Sequence, residues 1–231
     1  MSSSSPRRAA AAGPFRGRTG GGFTLVEILT VLAVIAIMIS LAAPLIGDYP
    51  EGRELASEAD NVESQMAYAR LIAVSSGAPV ELRFYLEPVT ETGPGAGTEF
   101  FRASQVMVTR DDGVFYPDGR AQRFAGKTII LGDPDFSSIM EGEPEGPDPN
   151  ARRTKNGAMS GKQYKSIRFL PDGSTNLGRG GDENWFLTFV AWKPTYTGGE
   201  AAVGPGTTFP NFVTLQIDPF TGKVRRYEPG R

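Results

Sequence analysis

The chain has no cysteine and no histidine. Without cysteine there is no disulfide framework, no thiolate nucleophile and no sulfur-ligated zinc or iron. Without histidine, the commonest general base and the commonest metal ligand are missing as well. Ser-Lys or paired-carboxylate chemistry stays open to the residues present, but the two absences together point away from an enzyme, and no cofactor is expected. Long charged runs are also lacking. The formal charge is only -2, from 24 Lys and Arg against 26 Asp and Glu.

What is present is unevenly spread. Residues 1 to 22 hold Arg7, Arg8, Arg16 and Arg18 and no acid, so the remaining 20 cations face 26 acids and the rest of the chain carries a charge of -6. A mildly acidic body is soluble and exerts no overall pull on nucleic acid. The 29 Gly and 18 Pro gather in the C-terminal two thirds, between short segments rich in Val, Ile, Phe and Thr. That pattern predicts strands and turns. A length of 231 residues with 39% hydrophobic and 22% charged side chains is enough for one folded head with its own core.

Residues 23–46, FTLVEILTVLAVIAIMISLAAPLI, form an apolar run with a single charge, Glu27. As a helix rising ~1.5 Å per residue it would reach roughly 36 Å, against about 30 Å for a bilayer core. The run reads as a membrane span. The four arginines before it predict a cytoplasmic N-terminus and an extracytoplasmic head. Glu27, a few residues into the span, costs ~2.5 kcal/mol or more unless something compensates it. A partner or a snorkelling, protonated carboxyl would each meet that need.

Gly20-Gly21-Gly22 followed by Phe23-Thr24-Leu25-Val26-Glu27 and the apolar run resembles the N-terminus of type IV pilin and pseudopilin precursors. The resemblance implies cleavage between Gly22 and Phe23 by an inner-membrane prepilin peptidase, which also methylates the amine of Phe23. It implies that Glu27 pairs with the Phe23 ammonium of a neighbouring subunit, two opposite charges offsetting part of each other's desolvation and fixing axial register. Pro44 stands where many pilins carry a helix-bending proline; it would equally end a span. A conventional secretory signal with a small-x-small site at Ser40-Leu41-Ala42, leaving a mature N-terminus at Ala43, is the alternative.

Beyond the run, Leu55, Ala59, Val62, Met66, Ala69 and Ala73 recur at steps of three and four, which predicts an amphipathic helix over 51–75 whose stripe is core. From Pro79 the period becomes two: Val80, Leu82 and Phe84 alternate with Glu81, Arg83 and Tyr85, a strand with one face buried. Further strands are expected at 99–109, 122–131, 164–170, 184–192 and 212–217, the last pairing with 222–228. Segments 91–99, 133–150 and 197–210 read as loops. The carboxylates of the second, from Asp133 to Asp148, show no calcium-loop spacing; they read as a solvated acidic loop. Arg152, Arg153 and Lys155 read as loop, and Trp185, Phe186, Phe189 and Trp192 as core and sheet surface.

Ile167-Arg168-Phe169-Leu170-Pro171-Asp172-Gly173-Ser174 joins a strand to a turn, and Gln216 to Arg225, QIDPFTGKVR, reads as a closing hairpin whose Gly222 takes positive φ. In this order the two are similar to the heads of H-type minor pseudopilins of type II secretion and FimT-type minor pilins, and also to the pilin-like Verru_Chthon cassette protein D group. The resemblance implies an α+β pilin fold, a long N-terminal helix packed on an antiparallel sheet. The expected division is a basic leader at 1–22, a membrane helix and assembly segment at 23–47, an amphipathic continuation at 48–76 and a β-rich head at 77–231. The expected partners are the peptidase, other pilin subunits and inner-membrane lipid. In FimT-type proteins a basic C-terminal motif binds DNA, and Lys223, Arg225 and Arg226 would be its counterparts here; a charged edge strand is the plainer reading. An exported soluble protein binding an unidentified ligand is the remaining class.

Overall fold

The computed structural model describes residues 24–46, 49–89, 97–147, 159, 161–180, 184–193 and 209–229, with side chains omitted over 40–46 and 49–51. Contacts divide the chain into two compact units, Met1–Gly47 and Asp48–Arg231. Within the described residues the first unit is helix α1, Leu25–Ile46. Its described side chains, which end at Ile39, are all exposed. Over the residues with described side chains, no helix is long and apolar enough to cross a membrane.

The second unit pairs helix α2, Tyr49–Ser76, with an antiparallel sheet, an α+β architecture. The strands are β1 Val80–Pro88, β2 Glu99–Thr109, β3 Phe115–Pro117, β4 Gln122–Arg123, β5 Thr128–Ile130, β6 Tyr164–Phe169, β7 Trp185–Ala191, β8 Phe212–Ile217 and β9 Val224–Tyr227. The order across the sheet is β6-β1-β2-β5-β7-β8-β9, with β3 and β4 both pairing with β2. Strands β6 and β9 therefore end that order.

The stripe on α2 is what holds the helix to the sheet. Leu55, Ala59, Val62, Met66, Ala69 and Ala73 are each at most 1% exposed and pack on Leu82, Phe84, Ile167, Phe169, Leu187, Phe189, Leu215 and Ile217. Four of the six are alanine or valine, and such small side chains let a helix lie close to a sheet. Glu58 lies on the same face and is 7% exposed; its carboxylate accepts the Ala125 N–H at 3.2 Å, so the buried acid is not left unmet.

Two expectations are corrected. The alternation over Val80–Tyr85 predicted a strand with one wet face, but every residue from Val80 to Glu87 is buried. The segment after β2 doubles back and lays β3 and β4 along it, and Arg123 in β4 grips Glu87 through bonds of 2.8, 2.9 and 3.0 Å. The continuous strand expected over 122–131 is broken into β4 and β5, with Gly126 at φ 54 between them. Strand β3 lies where no strand was expected, and the other strands lie within a residue or two of their expected ranges.

Candidate functional site

At the N-terminus of α1 the Thr24 hydroxyl accepts the backbone N–H of Glu27 at 3.2 Å, and the Thr24 carbonyl accepts the N–H of Ile28 at 3.2 Å. Thr24 is thus the helix cap and Glu27 the third helical residue, the sequence arrangement of a capping box. The Thr-Leu-Val-Glu run therefore has a local role in starting the helix, and the apolar-span reading had missed it. A carboxylate there also faces the positive end of the helix dipole. Gly22 and Phe23 lie outside the described residues. Pro44 falls inside α1, and its side chain is likewise outside them.

The two turns singled out in the sequence meet in space. In the first, Gly173 N–H donates to Leu170 O at 2.9 Å, and Asp172 accepts both the Ser174 N–H at 2.9 Å and the Ser174 hydroxyl at 2.6 Å. In the second, Gly222 N–H donates to Asp218 O at 2.8 Å, while Asp218 accepts the Phe220 N–H at 2.9 Å and the Thr221 hydroxyl at 2.7 Å. Each aspartate organises its own turn. The turns are tied to each other by the Thr175 N–H donating to Pro219 O at 2.9 Å. Both are tied to α2 by Arg70, whose Nε donates to Gly173 O at 3.2 Å and to Thr221 O at 2.7 Å. This arginine carried no signal in the sequence, being one more charge in an amphipathic helix.

The turn aspartates are held below the ordinary carboxylate range, Asp172 by the Ser174 hydroxyl first and then its N–H, Asp218 by the Thr221 hydroxyl first and then the Phe220 N–H. A carboxyl depressed in the folded state adds stability that is present above its unfolded value of about 4 and is lost as pH falls through the lower folded value. The Asp172→Asn, Asp218→Asn double variant should therefore show a shallower loss of stability on acidification. Urea unfolding midpoints measured down to about pH 2 check this; an acid limb identical to that of the parent refutes it.

The hairpin separates the three basic residues. Gln216 pairs with Arg225 and Leu215 with Arg226, so the alternation of β9 sends neighbouring side chains to opposite faces. Arg226 turns toward α2, where it pairs with Asp60 and Glu228 and donates to Ala56 O at 3.4 Å. Lys223 and Arg225 instead line a cleft of about 540 Å³ with Arg179, Asn184, Trp185, Gln216 and Phe220. Arg179 donates to the Ser174 hydroxyl at 2.7 Å and lies 5.5 Å from the centre of the Phe220 ring, which is 60% exposed. Of the four aromatics read as core and sheet surface, Phe189 and Trp192 are buried, and Trp185 faces this cleft. Among the described residues no cluster of acids is placed to hold a metal ion. Asp133 caps a turn by accepting the Asp135 N–H at 2.9 Å.

No family model and no curated protein matches the chain. Among solved structures it is similar to the minor pseudopilin EpsH from the type 2 secretion system of Vibrio cholerae, at 11% identity over 77% of this chain and 99% of that one, with a TM-score of 0.39. At that score the likeness carries no conclusion about this chain.

Proposed function

We propose that the chain is a pilin-like structural subunit, a minor pilin or pseudopilin of a type II secretion or type IV pilus filament, and not an enzyme. The observation that carries the reading is the run Gly22-Phe23-Thr24-Leu25-Val26-Glu27 opening an apolar segment of 24 residues after an arginine-bearing leader. A prepilin peptidase cuts between Gly22 and Phe23 and methylates Phe23. The segment after the cut holds the subunit in the inner membrane with its head outside the cytoplasm. The amphipathic helix that buries its stripe under an antiparallel sheet is consistent with such a head.

In this reading the chemistry is done to the protein rather than by it. Glu27 already serves its own helix start, because its backbone N–H bonds to Thr24. Its carboxylate then needs a cation in the assembled, water-poor bundle, and the methylated ammonium of an adjacent subunit supplies one. N-terminal sequencing and intact mass of the membrane-extracted protein are the direct test. A first residue of N-methylated Phe23 is expected, and a chain that keeps Arg7 to Arg18 or begins at Ala43 would end the proposal. Glu27→Ala should be processed normally yet appear in sheared filaments at well under a tenth of the parental yield, as about 2 kcal/mol or more of lost pairing implies. Parental yield would contradict it.

A further inference from the structure

The hydrogen-bond ladder of α1 has a defined first rung. Ile28 N–H donates to Thr24 O at 3.2 Å, the ordinary helical bond of a residue to the fourth one before it. The next bond back would run from Glu27 N–H to the carbonyl of Phe23. That donor is taken instead by the Thr24 hydroxyl, at 3.2 Å. Thr24 itself stands outside the helix, which opens at Leu25. A side-chain oxygen thus occupies the rung that would have carried the helix back over Phe23, toward the peptide bond between Gly22 and Phe23. A second threonine gives a contrast. The Thr30 hydroxyl donates to Glu27 O at 2.9 Å, but Thr30 lies within the helix and sets no boundary.

We propose that Thr24 is a positioning residue for cleavage of the Gly22–Phe23 bond, because its cap stops α1 short of that bond and leaves the bond free to enter a protease in extended form. The inference rests on the processed-subunit reading and adds to it a role for one side chain. Hydrolysis adds one water across the bond, leaving a carboxylate on Gly22 and an ammonium on Phe23. Thr24 takes no part in that step and acts only by setting where the helix begins. A bond wound into a helix must first be opened, so its cutting follows the population of the open form. Loss of the cap draws the helix backward rather than letting it fray. At the margin of a bilayer an N–H without an acceptor is costly, and Glu27 N–H, deprived of the hydroxyl, turns to the Phe23 carbonyl. Glycine is tolerated at an N-cap, so Gly22 then becomes the cap and its bond to Phe23 joins the first turn.

The test follows the full-length precursor in membranes that hold a prepilin peptidase, with cleavage read as intact mass against time. Thr24→Val keeps the outline and loses the oxygen, and it should slow the cut roughly fivefold, the ratio that a cap of ordinary worth implies. Thr24→Ser and Thr24→Asn supply capping oxygens and should be cut within about twofold of the parent, although asparagine has a different outline. Thr30→Val, which removes the same group from inside the helix, should leave the rate unchanged. Adding Leu25→Pro to Thr24→Val should restore cleavage, since proline suits the first helical position and drives the residue before it out of the helical conformation. A peptidase that read the hydroxyl itself would not respond to that proline. Parental cleavage of Thr24→Val, slow cleavage of Thr24→Asn, equal slowing by Thr30→Val or failure of the proline to rescue would overturn the proposal. Failure of the processed-subunit reading shows separately, as a parent chain that the peptidase does not cut between Gly22 and Phe23.

Discussion

Glu81→Ala should cost about 3–5 kcal/mol of head stability, the scale for removing one member of a buried ion pair, and a head at the lower end of ordinary stability, about 5 kcal/mol, would come close to unfolding. Glu81 is 2% exposed and its carboxylate is shared: one oxygen accepts Arg83 Nε at 2.9 Å, the other accepts Arg168 NH2 at 2.6 Å. The Arg83 side chain is 5% exposed and lies over the Tyr164 ring at 4.3 Å. Taking away the carboxylate leaves that guanidinium in the interior without the charge of Glu81. The loss is a desolvation penalty rather than the worth of a contact, so replacing both partners should behave differently. Glu81→Leu with Arg83→Met is expected to recover most of the stability. Urea midpoints of the two variants decide the matter; a Glu81→Ala chain within about 1 kcal/mol of the parent would refute the account.

The second large effect is expected at Gly222. Its φ is 62, and a β-carbon there would stand 2.7 Å from the Gly173 carbonyl oxygen and 3.0 Å from Arg70 Cδ. The side chain of Arg70 has some freedom to yield, but the carbonyl belongs to the neighbouring turn and has little. Gly222→Ala therefore combines left-handed strain of about 1–2 kcal/mol with displacement of one turn from the other. A total of about 2–4 kcal/mol follows. By contrast, Gly113→Ala has a similar φ of 72 with nothing within 4 Å of the added carbon. It should lose only the strain. The difference between their thermal midpoints isolates the steric part, and equal losses would mean that the two turns do not press on each other.

These two sites also show what was and was not legible beforehand. The stripe from Leu55 to Ala73 was readable because a helix buried on one face must place apolar residues at steps of three and four. The hairpin was readable because Gly222 marks a positive φ. Glu81 and Arg83 misled for a physical reason. Alternation reports only that one face is apolar, and a face carrying Glu, Arg and Tyr reads as wet until another piece of chain satisfies those groups in the interior. Segments β3 and β4, three and two residues long, are too short to carry a period of their own. The basic run at the C-terminus was visible as three cations, but strand alternation divides it, and Arg226 is the one that meets Asp60 on α2, 166 positions away. The cleft depends on Arg179, from a loop whose composition reports nothing but a loop. The run around Glu27 was legible as chemistry, whereas its capping role is visible only with the hydrogen bond from Glu27 to Thr24.

Helix α2 is made well before some of the groups that fasten it. Arg70 waits for the carbonyl of Thr221, and Asp60 waits for Arg226, 151 and 166 positions further along. A polypeptide released short of the β8–β9 hairpin would keep Leu55, Val62 and Met66 only partly covered, offering sticky surface to chaperones and proteases. Products terminated before that hairpin should thus be recognisable and cleared.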